Sequence, residues 1–251
     1  MKHKLSQLII CIFIIFFGFC LSETFAEKNK TLAEIKYNQA VLLMDSNPFF
    51  ALKELTIAAK LNRKEPKIPV AIGKIYLKQK HYPKAIDAFQ KAIKIQKSYV
   101  DAYSNLGYTY VILKEWDKAI QSFRFILKYP NLTAPHYVHN AIGWAYYEKN
   151  DFQKSIIELK KAIRFKNNYS NAYYNLGLSL LGLEDDGQAI KEFKTAIKYN
   201  PDFVQAHNHL ALIYLKKNMN NDAQEEFLKV IELAPDSQSA KEAKKYLDLI
   251  G

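Results

Sequence analysis

The stretch Asp101-Ala-Tyr-Ser-Asn-Leu-Gly-Tyr-Thr-Tyr-Val-Ile-Leu113, then Lys114-Glu-Trp-Asp117, then Lys118-Ala-Ile-Gln-Ser-Phe-Arg-Phe-Ile-Leu127 reads as helix, turn, helix. Its first segment carries apolar residues at helical spacing, and its second is apolar at Ala119, Ile120, Phe123 and Ile126. It decides the fold because it recurs. Gly107 belongs to a ladder of Gly73, Gly107, Gly143, Gly177 and Ala211, spaced 34, 36, 34 and 34 residues apart. Twelve residues behind runs Ala85, Ala119, Ser155, Ala189 and Ala223, and four later Phe89, Phe123, Leu159, Phe193 and Phe227. A fixed period in this range means one supersecondary unit stacked on copies of itself. Small residues such as Gly107 and Ala119 belong where the two helices of a hairpin cross. The following Phe123 is expected to fill the wedge toward the next unit. In Asn200-Pro201-Asp202 and Ala234-Pro235-Asp236 the proline stops one helix, and the aspartate is expected to help start the next.

The residues Leu106-Gly107-x-x-Tyr110, Ala119 and Phe123, and Leu176-Gly177, Ala189, Phe193, Ala196 and Pro201, resemble the tetratricopeptide repeat family. The resemblance covers roughly residues 32–236. It implies an all-α fold, a right-handed superhelix (α-solenoid) of about six helix-turn-helix repeats with one concave face. The repeats fall near 32–65, 66–99, 100–135, 136–169, 170–203 and 204–236. The first is degenerate, with Ala40, Ala51, Leu55 and Ala58 in register and a turn one residue short. Residues 237–251, amphipathic and Lys-rich, read as the polar-faced capping helix that a solenoid end requires.

Residues 1–26 read as a signal peptide followed by a short linker at 27–31. A basic start, Met1-Lys-His-Lys4, precedes a twelve-residue apolar run from Leu8 to Phe19, shorter than a membrane-spanning helix needs. Three exits are open: cleavage after Thr24-Phe25-Ala26, lipidation of Cys20 as in bacterial lipoproteins, or retention as an anchor. Phe19 stands before Cys20, where lipoprotein sites take a small residue. Both cysteines, Cys11 and Cys20, lie in this segment, so a chain cleaved after Ala26 has no disulfide, thiolate chemistry or cysteine metal ligand. The formal charge is +11, and loss of Lys2, Lys4 and Glu23 with the leader leaves +10. Much of the lysine lies on second helices: Lys84, Lys91 and Lys94; Lys160, Lys161 and Lys166; Lys191, Lys194 and Lys198. These read as a solvated convex face or, in the sharper reading, as a surface for anionic lipid or an acidic partner. Export makes nucleic acid a poor candidate.

The concave face should be lined by first-helix residues pointing away from the hairpin. The register selects Asn105, Tyr108 and Ile112; Tyr137, Asn140, Trp144 and Tyr147; Asn171, Tyr174, Asn175 and Leu178; and Asn208, His209 and Leu212. Amides can pair both backbone groups of a peptide, and aromatic rings supply contact area at low entropic cost. The competing reading is that some of these, Trp144 and Tyr174 above all, pack between repeats. The first-helix positions that hold a C-terminal carboxylate in chaperone-tail binders correspond here to Tyr37 and Val41, neither of them basic. His136 and His139, and His207 and His209, lack the accompanying ligands of a metal site, and His-x-His on a helix points its rings to different faces. No phosphate loop, serine elbow or carboxylate pair is visible, so neither a cofactor nor a catalytic site is expected. Asn131-Leu-Thr133 fits a glycosylation acceptor, a pattern frequent by chance.

The period slips to 36 at Leu127-Lys-Tyr-Pro-Asn-Leu-Thr-Ala-Pro-His-Tyr137, where two prolines exclude a continuous helix. The leader, six repeats, total length and this linker before Asn140-Ala-Ile-Gly-Trp-Ala-Tyr-Tyr147 resemble the type IV pilus biogenesis/stability proteins, outer-membrane pilotins that assist secretin assembly. That resemblance implies a non-catalytic, exported scaffold at the periplasmic face of the outer membrane, holding a partner segment in its groove. The rival expectation is a periplasmic adaptor organising peptidoglycan or polysaccharide machinery. Intact-mass analysis of the processed chain separates the exits: cleavage after Ala26 leaves an unmodified chain starting at Glu27, whereas lipidation leaves an acylated chain starting at Cys20.

Overall fold

Each repeat becomes a pair of helices because its apolar residues form one stripe per helix, and in every repeat after the first a left-handed residue turns the chain between them. The computed structural model describes residues 24–129 and 134–250. Among these, every regular element is a helix: α1 (24–43), α2 (Pro48–Leu61), α3 (Lys67–Lys78), α4 (Tyr82–Ile95), α5 (Val100–Ile112), α6 (Trp116–Ile126), α7 (Pro135–Glu148), α8 (Phe152–Phe165), α9 (Ser170–Leu181), α10 (Asp186–Tyr199), α11 (Val204–Lys216), α12 (Asn220–Leu233) and α13 (Gln238–Ile250). The chain divides into two compact units, Met1–Thr109 and Tyr110–Gly251. In the first, one core joins Ala33 and Ala40 of α1, Ala51, Leu55 and Ala58 of α2, and Ile68, Ala71 and Ile75 of α3. In the second, a continuous core runs from Leu159 through Leu176, Phe193, Leu210 and Phe227 to Ala243. Second helices pack on the first helix that follows, as α2 does on α3, α8 on α9 and α10 on α11.

The ladder of small residues has a direct steric cause. A Cβ on Gly73 would lie 2.4 Å from the Phe89 ring, and one on Gly177 would lie 2.7 Å from the Phe193 ring. The aromatic ladder thus fills the bare backbone of its own hairpin. It also reaches forward, since Phe193 stacks on His209 of the next repeat, with ring centroids 5.6 Å apart. The wedge expected from the sequence is therefore half of its role. A buried Phe contributes roughly 2–3 kcal/mol through its area alone. The Ala ladder is fully buried, and at Ser155, its one polar rung, the hydroxyl finds partners. Ser155 Oγ donates to Gly143 O at 2.8 Å and lies 2.8 Å from Ser179 Oγ. Ser179 in turn donates to Asn175 O at 2.9 Å.

A further ladder was not read from the sequence. Lys80, Lys114, Asn150, Glu184 and Asn218 all have φ near +60°. Each ends a first helix in the same way. The amide of Lys80 donates to Leu77 O at 2.9 Å and that of His81 to Tyr76 O at 2.8 Å, and the same pair of bonds recurs at Glu184 and Asp185. This is the Schellman arrangement, which satisfies the helix's last carbonyls and wants Gly or Asn at the left-handed position. The shorter turn of the first repeat has no such residue, and Asn47 instead caps α2 by accepting from Phe50 N at 3.2 Å.

Several expected boundaries move. The 27–31 stretch is helical and continuous with α1, because it contains no Gly or Pro and Thr31 Oγ1 donates back to Glu27 O at 3.0 Å. Trp116, expected in a turn, opens α6. The aspartates after Pro201 and Pro235 do not cap. Phe203 holds the N-cap position of α11 without a side-chain bond, and Ser237 Oγ accepts from Ala240 N at the start of α13. In the 36-residue step, Pro135 is the first residue of α7. Pro130 and the Asn131-Leu-Thr133 acceptor lie outside the described residues, as do both cysteines and the Leu8–Phe19 run.

The left-handed ladder is testable. Lys80→Gly and Glu184→Gly should each raise stability by about 1 kcal/mol, since Gly adopts φ > 0 without the Cβ penalty that outweighs its extra chain entropy. Gly177→Ala should lower it by about 1–3 kcal/mol, because a Cβ 2.7 Å from the Phe193 ring overpacks the crossing. Urea midpoints report all three.

Candidate functional site

The α7 helix begins on Pro135 and presents Tyr137, Asn140, Trp144 and Tyr147 at helical spacing on one side. Its opposite side, with Val138, Ile142, Ala145 and Tyr146, is buried. Tyr137 is mostly exposed and meets Tyr169 edge-on, centroids 5.2 Å apart. Trp144 and Tyr147 are half-buried and stacked at 5.2 Å. Tyr147 leans on Phe152, whose ring occupies the space beside Gly182 of the next repeat, where a Cβ would come within 2.4 Å. The strip is therefore propped from beneath by inter-repeat packing. Burial pushes the Tyr147 hydroxyl above its ordinary range, with Glu148 adding to the shift, so it stays a neutral donor.

The other expected lining residues divide sharply. Asn171 is exposed and lies beside the Tyr169 hydroxyl, whose pKa burial pushes above its ordinary range and Asn171 lowers. Asn175 is buried and spends an amide proton on Asn140 Oδ1 at 3.0 Å, which ties α9 to α7. Tyr174 packs among Phe193, Phe203 and His209, and burial pushes its hydroxyl up to about 12. His209 is wedged against Phe193 and Tyr174, and burial lowers its basicity. Leu178 is a core residue. Thus Tyr174, Asn175, His209 and Leu178 are corrected from groove lining to packing, because side chains of their own and neighbouring repeats enclose them. Asn208 is half-exposed. Asn105 and Tyr108 lie in the other unit: Asn105 bonds Asp101 O at 2.7 Å, and Tyr108 is largely exposed.

Two histidines weighed in the sequence only as metal ligands are instead buried against glutamates. His139 Nδ1 lies 2.7 Å from Glu158 Oε2, with Phe165 stacked on its ring and Lys161 on the other carboxylate oxygen. One two-repeat step on, His207 Nδ1 lies 2.5 Å from Glu226 Oε2, and its Nε2 lies 2.9 Å from Pro201 O. An ionised carboxylate and a carbonyl only accept, so with Glu226 ionised this arrangement favours the doubly protonated ring of His207. Burial opposes that charge, but the bonds to Glu226 and Pro201 outweigh it and raise the pKa above the ordinary histidine value. For Glu158, burial is likewise outweighed, by His139 and Lys161, and its carboxyl titrates below its usual range. The 34-residue spacing of Glu158, Glu192 and Glu226, facing His139, Tyr173 and His207, was the available signal.

At the irregular junction, a cleft of about 690 Å³ is lined by Leu127, Tyr129, Pro135, His139, Lys161, Arg164 and Phe165. The lysines of the second helices are less free than their number suggests. Lys84, Lys154 and Lys194 sit over Tyr76, Tyr146 and Tyr214, 5.4–5.6 Å from the ring centres, and Lys91 pairs with Asp87. Arg124 Nη2 donates to the Tyr146 hydroxyl at 2.7 Å. Such cation–ring contacts cover aromatic surface as well as display charge.

Family comparison agrees with this architecture. The family described as TPR repeat matches residues 73–114, 143–184 and 183–218, and that described as Tetratricopeptide repeat matches 204–237, together more than half of the chain. Among curated proteins, the chain is 29% identical over 115 residues to Anaphase-promoting complex subunit CDC16 of Saccharomyces cerevisiae, spanning 43% of this chain and 14% of that protein. It is 26% identical over 123 residues to the Cell division cycle protein 27 homolog of Caenorhabditis elegans, spanning 48% and 15%. These alignments therefore reach only about a seventh of either relative. Among solved structures, MamA is 26% identical, with a TM-score of 0.58 over 70% of this chain and 98% of that one. PilW, described as a widely conserved type IV pilus biogenesis factor, gives a TM-score of 0.73 at 18% identity over 84% and 97%. The pilF structure of Pseudomonas aeruginosa gives 0.72 at 12% over 87% and 99%.

The His207 pair makes stability depend on pH with a definite sign. Its pKa is raised on folding, so its contribution is fully present below about 6.5, the unfolded value, and is lost as pH rises through the folded value. Urea midpoints should therefore fall on going from pH 6 to alkaline pH, and the fall should shrink in His207→Gln. At pH 6, Glu226→Gln should cost about 1–3 kcal/mol.

Proposed function

The chain belongs to the tetratricopeptide repeat family, a class of scaffolds that bind protein partners, and on that premise we propose that it is an exported, non-catalytic scaffold for a cell-envelope assembly, in the first instance a type IV pilus secretin. The partner segment lies along the strip Tyr137, Asn140, Trp144 and Tyr147, with Tyr169 and Asn171 at its edge. The observation that carries this reading is the strip itself. It is a run of aromatic and amide side chains on a first helix that inter-repeat packing supports while leaving it partly exposed. Asn140 accepts from Asn175 and so holds its own amide group in a fixed orientation, with its N–H donors directed at a ligand backbone. Rigid aromatic neighbours suit an anchor residue of the partner.

The envelope assignment draws on the amino-terminal leader and on fold likeness to PilW and pilF over nearly their whole lengths. Attachment to the outer membrane would run through Cys20 in the lipidated form. Second-helix lysines without an acidic or aromatic partner among the described residues, such as Lys94, would add attraction to an anionic surface.

Pull-down from envelope extracts with Tyr137→Ala/Asn140→Ala should recover at least ten-fold less partner than the parent chain, with helical circular dichroism retained. Loss of binding with an intact fold supports the strip, and undiminished recovery removes it. Deleting the gene should reduce detergent-resistant secretin multimers, and unchanged multimers would overturn the pilus assignment while leaving the strip untouched.

A further inference from the structure

The repeats show which surface each first helix uses to sit on the repeat before it. Five residues before the small-residue ladder stand Ile68, Ala102, Val138, Ala172 and Ala206, all buried; two residues after it stand Ile75, Thr109, Ala145, Ser179 and Ile213, again all buried. Contacts such as Ser155 with Ser179 identify the covering element as the preceding second helix. In the first repeat the ladder residue is Ala40, and the same two positions are Ile35 and Leu42. They are 48% and 83% exposed. Leu32 and Phe25 extend the stripe, 40% and 66% exposed. Among the described residues, α1 therefore carries an apolar stacking face with nothing stacked on it. The opposite end of the solenoid is finished differently. Ala240 and Ala243 of α13 are buried, while Lys241, Glu242, Lys244 and Lys245 face solvent, as a terminal cap should.

We propose that this face of α1 is the contact between two copies of the chain, paired antiparallel about a twofold axis between Leu32 and Ile35. The stripe occupies positions 25, 28, 32, 35, 39 and 42, whose intervals of three and four read the same in both directions. Laid antiparallel on itself, Leu32 meets Ile35 of the second copy and Lys28 meets Gln39, and in a chain that retains residue 25, Phe25 meets Leu42. Apolar residues face apolar ones, and no like charges are opposed. A head-to-tail stack is disfavoured because α13 already covers the surface that α1 would need, so association closes at two copies instead of growing into a fibre. The stripe is about 26 Å long at 1.5 Å per residue. A single helix pair of this length is a small interface beside the roughly 1,200–2,000 Å² typical of specific complexes, which fits a reversible dimer.

Sedimentation equilibrium of the full processed protein, from about 1 to 100 μM, should show a monomer–dimer equilibrium. Leu32→Lys or Ile35→Glu alone should weaken it at least ten-fold with unchanged helicity and melting, since both side chains are already substantially exposed. Mixing the two variants should restore association, because in the antiparallel pair the lysine introduced on one copy would meet the glutamate introduced on the other. Monomer throughout the range, as when the chain's own leader or another protein covers the stripe, would overturn the proposal. So would a dimer indifferent to both substitutions, or a mixture that fails to recover.

Discussion

The close approach of two helices within each hairpin governs everything else in the molecule. It is set by one contact repeated along the chain: a large side chain of the second helix resting on a bare backbone segment of the first. Phe89 on Gly73, Leu159 on Gly143 and Phe193 on Gly177 leave no room for a Cβ. The same large side chain touches the next repeat, as Phe193 does through His209. Hairpin geometry and stacking geometry are thus coupled through a single ring, and a change at one is felt by the other. That coupling is why a chain with no disulfide in its repeats can hold its shape on packing alone.

Against this regular frame, polar substitutions within the ladders mark where repeats are tied together. Ser155 replaces Ala and acquires Gly143 and Ser179 as partners; Asn175 is buried and is held by Asn140. The His139–Glu158 and His207–Glu226 pairs fasten first helix to second at alternate repeats. Each is a buried charge or dipole with its partner supplied, as a low-dielectric interior demands. One of these ties, Asn175 to Asn140, ends on the aromatic and amide strip of α7 and orients its amide group, which would suit the proposed docking surface.

Much of this was legible beforehand. The 34-residue ladders located the hairpins, and the double proline located the start of α7. The left-handed turn ladder escaped notice because its residues, Lys80, Lys114 and Glu184, are not the Gly or Asn that usually announce such a conformation. Asp202 and Asp236 misled because Asp is a common cap, while the backbone placed Phe203 and Ser237 at the cap positions instead. The 27–31 segment looked like a linker only because the repeat register began after it.

What the sequence alone determined is the period, and with it the helical hairpins, the positions that must stay small and the positions that must fill the space. Those follow from local periodicity and from sterics between residues at a constant separation. Which amides and rings remain available to a partner was decided only in three dimensions. Tyr108 and Leu178 hold the same register position, one residue after the small rung, yet one is exposed and the other lies in the core. Ile35 and Ala172 likewise share a register, yet only the second is covered. The difference is the neighbouring repeat, since exposure belongs to the stack and not to the repeat unit.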